Sequence, residues 1–257
     1  MIELDAASFL VQWAVGGMAG AWFTTRQREV GVGYGWLLRS IFGLLAGSGA
    51  VIGLSSDGGG ATRIRDVVAV LVTVAIVVAL VSSVRRRHHT ESGAFDARLD
   101  LVPAVVGVVG LVAAGVDAGG NDLVAVIRLL VGAVFLGFVT DAMLLGHWYL
   151  VQPGLPRRHI NEIVAAFLVI WPIEVAVMLL PTGMFSVFSG SVDDGWGGQL
   201  GWFWAACAVT TGVLTVVTQR ALKERSYSAV MAATGLMYLA ILTAFGTDLV
   251  ARAVLQG

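Results

Sequence analysis

"DVVAVLVTVAIVVALVSSV", residues 66–84, decides the fold. After Asp66 it carries no charge, and it is built mostly of valine, alanine, leucine and isoleucine. A bilayer core about 30 Å thick is crossed by about 20 apolar helical residues. Lipid offers no partner to a backbone N–H or C=O, so such a segment must satisfy its own hydrogen bonds, as a helix does. Residues 66–84 therefore read as a lipid-facing transmembrane helix. Working outward, seven more stretches qualify, at roughly 8–25, 35–54, 99–117, 122–151, 161–181, 200–219 and 227–250. The sequence predicts an all-α polytopic integral membrane protein of about eight transmembrane helices, with 1–257 forming a single helical-bundle domain. The stretch 122–151 is longer than the core is thick, so it must tilt or project.

Composition agrees. Of 257 residues, 57% are hydrophobic and 13% charged, and mean hydropathy is +0.85. A soluble domain carries about twice that share of charge. A net charge of −1 gives no bulk attraction to nucleic acid. The single cysteine, Cys207, excludes an intrachain disulfide and a cysteine-rich metal site. Lys223 is the only lysine among 16 basic residues, a codon-usage sign of a GC-rich bacterial genome. The start, "MIELDAASFL", lacks the positive region of a signal peptide. The expected location is the bacterial cytoplasmic membrane, multi-pass, with lipids and other membrane subunits as partners.

Orientation follows from the loops. Arg26 and Arg28, then Arg85, Arg86, Arg87 and Arg98, then Arg157 and Arg158, then Arg220, Lys223 and Arg225 fall in four alternate loops, eleven basic residues in all. The opposite loops hold Arg63, Arg65 and Arg252, with Glu3, Asp5, Asp57, Asp117, Asp122, Asp193 and Asp194. Both termini are therefore expected on the outer, non-cytoplasmic side. Trp22, Tyr34, Trp36, Trp148, Tyr149 and Tyr227 then mark the inner headgroup level, and Trp196, Trp202 and Trp204 the outer one. Gly16 with Gly20, Gly43 with Gly47, and Gly49 with Gly53 are spaced for close helix packing.

Charge inside a span is costly and marks candidate sites. Arg128 and Glu174 lie at matching depths on consecutive antiparallel spans, which predicts an ion pair between them. Pro172, beside Glu174, would break its helix. Asp141 sits near mid-membrane and must be protonated, paired or in a polar cavity. Asn161 reads as an N-cap, with Glu162 in the first helical turn. "LLGHWYLVQPGLPRRHINE", residues 144–162, gathers His147, Trp148, Tyr149 and Glu162 in the inner third, level with Arg39 of the second span. Together these five form a candidate ligand pocket suited to a quinone headgroup, since a neutral imidazole both donates and accepts.

No self-contained catalytic motif is present: no HExxH, GxGxxG, P-loop or GxSxG. The chain reads as no enzyme on its own. Haem is disfavoured because only His147 lies within a span, with His88, His89 and His159 in loops. "RRRHH" reads as a basic loop on anionic lipid before it reads as a metal site. Two function classes remain. One is a membrane subunit of a redox complex with a quinone pocket around His147. The other is a proton-coupled solute transporter using Asp141 and Glu174. A purely structural subunit is the third reading.

Overall fold

The computed structural model describes residues 5–56, 59–86, 96–117, 122–192 and 194–255. Its helices are α1 (Ala6–Thr25), α2 (Val32–Leu54), α3 (Gly60–Arg86), α4 (Leu101–Asp117), α5 (Asp122–Val151), α6 (Arg158–Leu179), the single turn α7 (Phe185–Phe188), α8 (Gln199–Ala221) and α9 (Tyr227–Leu255), with a 3₁₀ turn at Ala97–Asp100 leading into α4. No strand occurs among the described residues. The protein is an all-α polytopic membrane protein: α2, α3, α4 with its leading turn, α5, α6, α8 and α9 are each long and apolar enough to cross a bilayer.

The eighth long helix, α1, is less apolar because it is sheltered from lipid. Fourteen of its twenty residues are buried, and it packs against α2, α4 and α5. The lipid-facing α3 is its opposite. Its buried residues are a stripe through Asp66, Ala69, Val72, Ile76, Ala79 and Ser83, at three- and four-residue spacing, with Arg65 and Val68 beside its start, while Val67, Val70, Leu71, Val74, Val77 and Val78 are exposed. Helix α5, thirty residues long, is the second centre and packs against α1, α4, α6 and α9.

The α1–α5 seam is glycine-lined. A Cβ at Gly16 would overlap the Ala133 carbonyl, and one at Gly137 would overlap the backbone of Gly16. Small residues permit this approach where lipid removes any hydrophobic drive between helices. The other two glycine pairs also face helices of the same chain. Gly43 and Gly47 meet Ile76 and Thr73 of α3, while Gly49 meets Val11 of α1 and Gly53 meets Asp66 of α3.

The start of α1 and the end of α9 lie at one end, which we call the terminal end. The described basic loops gather at the other. There Glu29 accepts from His159 Nε2 at 2.8 Å and pairs with Arg158, Arg26 pairs with Glu162 at 2.7 Å, and Arg157 donates to the Leu222 carbonyl. Three of the four basic loops are thus tied together. The His159 hydrogen bond, reinforced by Arg158, holds the Glu29 carboxyl below the usual carboxylate range. At the terminal end, Asp194 accepts the amides of Trp196, Gly198 and Leu200 at 2.8–2.9 Å and so caps the start of α8. Those backbone donors, Gly198 first, lower its carboxyl.

Several local expectations need correction. Asn161 is not an N-cap: α6 begins at Arg158, and the Asn161 side chain donates back to the Arg157 carbonyl at 2.9 Å. Helix α6 runs unbroken through Pro172. Tyr34, Tyr149 and Trp204 are buried and no part of an aromatic belt, whereas Trp196, Trp202 and Tyr227 are exposed as a belt requires. Glu3, Asp57, Arg87, His88, His89 and Asp193 lie outside the described residues.

Candidate functional site

Asp141 is fully buried, where α5 meets α1 and α2. Each neighbour is placed by helix geometry. On α1, Gln12, Gly16, Gly20 and Thr24 recur every four residues and so share one face. Gly20 leaves room for the Asp141 carboxyl, which a Cβ there would meet at 2.9 Å. Thr24 Oγ1 lies 3.2 Å from Asp141 Oδ2. From α2, the Tyr34 hydroxyl lies 3.2 Å from both Asp141 Oδ1 and the Asp141 carbonyl. No ion pair reaches Asp141 among the described residues.

The proton count at this site falls short. Thr24 has one hydroxyl proton but three acceptors in range, the Gly20 carbonyl at 3.1 Å, the Ala21 carbonyl at 3.2 Å and Asp141 Oδ2. Tyr34 has one proton for two acceptors. A proton on Asp141 would close the gap, with its O–H donating to Thr24 Oγ1 and Thr24 donating on to Gly20. Without that proton the carboxylate would be a buried charge with no counter-charge, an arrangement proteins avoid.

A second cluster lies toward the terminal end, about 14 Å away along α5 at 1.5 Å per residue from Gly132 to Asp141. Asp248 and Arg252, one turn apart on α9, form a buried two-pronged pair at 2.7 and 2.8 Å. Gln12 Nε2 donates to Asp248 Oδ1 at 3.2 Å. The Glu174 carboxyl, fully buried, faces Asp248. The predicted direct pair of Arg128 with Glu174 is not formed. Arg128 instead donates to the carbonyls of Val177 and Leu180, at the end of α6, where a helix presents unpaired carbonyls to a cation.

The five residues of the predicted inner pocket are not brought together. Arg39 is buried against the start of α4, where Nε donates to Asp100 at 2.7 Å and the guanidinium also donates to the Ala79 and Asp96 carbonyls. Glu162 pairs with Arg26. The Tyr149 hydroxyl donates to the Pro156 carbonyl at 2.7 Å. Trp148 Nε1 donates to Gln152 at 3.1 Å, and its ring packs on Tyr34. His147 is on the exposed face of α5, its ring 5.9 Å from that of Tyr238. No group of three or more His, Cys, Asp or Glu able to hold a metal occurs among the described residues.

Sequence reasoning missed Thr24, Tyr34, Gln12, Asp100 and Asp248. The four-residue rhythm from Gln12 to Thr24 was a usable signal for the α1 face. Nothing in the sequence said that Tyr34 reaches across to α5. What fold and site define together is a class: a polytopic helical membrane protein with acid groups buried in its core. Comparison with family models, with curated proteins and with solved structures finds no match to the chain.

Proposed function

We propose that this protein is a proton-coupled carrier of a small solute in a bacterial plasma membrane, with Asp141 as the group that takes up and releases the proton. The observation that carries the reading is the proton shortfall around Asp141, a buried acid served, among the described residues, by the Thr24 and Tyr34 hydroxyls alone. Intramembrane acids of this kind mark proton relays in pumps and transporters. Uptake adds one proton to Oδ2 and release returns it. No other bond is made or broken. The tight Gly16–Gly137 seam separates Asp141 from the Glu174 cluster, as a carrier requires if it is not to leak.

The test is solute-evoked proton movement in membrane vesicles holding a pH-sensitive dye, challenged with a panel of small anionic, cationic and neutral solutes. The wild type should respond to at least one class. Asp141→Asn, inserted at wild-type level, should respond to none. A wild type silent to the whole panel, or an Asp141→Asn variant as active as wild type, contradicts the reading.

One observation favours a second reading, a quinone-like ligand. A lateral groove of about 370 Å³ opens between α2 and α9, lined by Trp13, Thr140, Met143, Tyr238 and Phe245, and the His147–Tyr238 contact lies beside it. Under that reading the chain is a redox-complex subunit. A quinone analogue should then quench tryptophan fluorescence in wild type and not in His147→Leu. Equal quenching in both removes it.

A further inference from the structure

The Glu174 cluster is short of hydrogen-bond donors. Both Glu174 carboxyl oxygens are buried with no hydrogen-bond donor, and they face Asp248. Asp248 is already served: Oδ1 receives Gln12 Nε2 and Arg252 Nη2, and Oδ2 receives Arg252 Nε. Gln12 Oε1 is buried and unpaired as well. Turning the Gln12 amide over would set Oε1 against Asp248 Oδ1, so the orientation seen is the bonded one.

Charge tells the same story. Glu174 and Asp248 bring two negative charges and Arg252 one positive. Arg128 of α5 is the next cation and acts on Glu174 through space, but its guanidinium donates to the carbonyls closing α6 and gives Glu174 no hydrogen bond. Helix α8 adds none here, because its one charge, Arg220, lies at the opposite end. Two carboxyl groups that face each other with no donor between them repel unless a cation joins them. What is missing at Glu174 is a direct partner, and three oxygens, both of Glu174 and Oε1 of Gln12, are free to receive one.

We propose that Glu174, Asp248 and Gln12 Oε1 form a binding site for one small monovalent cation, a proton or Na⁺. A divalent ion is the poorer match, since only two carboxylates are present and Arg252 stands beside them. The site is separate from Asp141 and does not depend on the carrier reading.

The experiment is thermal unfolding of the detergent-purified full-length chain, in NaCl against choline chloride and over a series of pH values. A ligand that binds only the folded state raises Tm in proportion to its occupancy. If the cation is Na⁺, the wild type gains stability with Na⁺ and not with choline, saturably, and Glu174→Gln loses the effect. If it is a proton, neither salt acts specifically, the wild type loses stability at alkaline pH, and Glu174→Gln, which mimics the protonated acid, loses less. Should Glu174→Gln fail to fold, Gln12→Leu supplies the comparison, with a weakened response in either arm. Asp141→Asn should keep the Na⁺ response and the Glu174-dependent part of the alkaline response, so failure here is distinguishable from failure of the carrier reading. Absence of both the Na⁺ effect and a Glu174-dependent alkaline loss overturns the proposal.

Discussion

At the residue scale, the protein's buried charges are handled in different ways, and each predicts a different response. Arg39 and Asp100 are a closed pair with no exposed side-chain surface. Removing one partner of such a pair strands the other, at a cost of about 3–5 kcal/mol in soluble proteins. Arg39→Leu should lower stability by that order in chemical denaturation, and Arg39→Leu combined with Asp100→Leu should recover part of it. Arg128 and Glu174 should behave otherwise. They were expected to pair because they lie at one depth on neighbouring helices. Depth, however, does not fix direction, and Arg128 is drawn to the carbonyls at the end of α6. The exchange Arg128→Glu with Glu174→Arg should therefore be no more stable than the single variants. Asp141 was legible as a site because a carboxylate far from either end of an apolar run has few explanations. Tyr34 was not, since a tyrosine near a helix end reads as interface until its packing partner is known.

At the element scale, the α1–α5 seam and the clasp at the basic end hold the bundle together. Gly16→Leu forces a side chain into the Ala133 backbone. Overpacking costs typically 1–3 kcal/mol, and here the obstacle is main chain, so a loss at or above the upper end is expected in the same denaturation assay. The clasp joins the α1–α2 loop to α6 through Glu29, His159 and Arg158. Because the Glu29 carboxyl is lowered in the folded protein, its contribution is present above the ordinary glutamate range. That contribution is lost as pH falls through that range and below it. Amide protection in residues 26–31, taken relative to the intrinsic exchange rate at each pH, should fall over that acid window in wild type and change less in Glu29→Gln. The clasp was out of reach of sequence reading, which saw Arg157 and Arg158 as a positive-inside loop and His159 as a loop histidine. The α9 cluster was missed for a related reason. The apolar pattern was ended at 250, which left Arg252 outside the helix, whereas α9 continues to Leu255 and sets Arg252 one turn from Asp248.

At the scale of the whole molecule, hydropathy alone marked the bundle, since an apolar run of spanning length has few other uses in a protein; seven of the eight expected spans are helices apolar enough to cross a bilayer, and α1 falls short of that. Orientation rests on the arginine bias and has a direct check. In a Cys207→Ser background, a cysteine at Ser191 should react with an impermeant thiol reagent in intact cells, and one at Ser226 should be shielded. Both serines are exposed, at opposite ends. The interior was less legible than the outline, because periodicity tells which face of a helix is buried and not which helix covers it. The central claim, that Asp141 is where a proton is held, is tested most directly by infrared difference spectroscopy of the purified protein between acid and alkaline pH. The account predicts a carboxylic-acid carbonyl band in wild type that is absent from Asp141→Asn and shifted in Thr24→Val, whose side chain cannot accept the acid's hydrogen bond. Identical difference spectra from wild type and Asp141→Asn would contradict it.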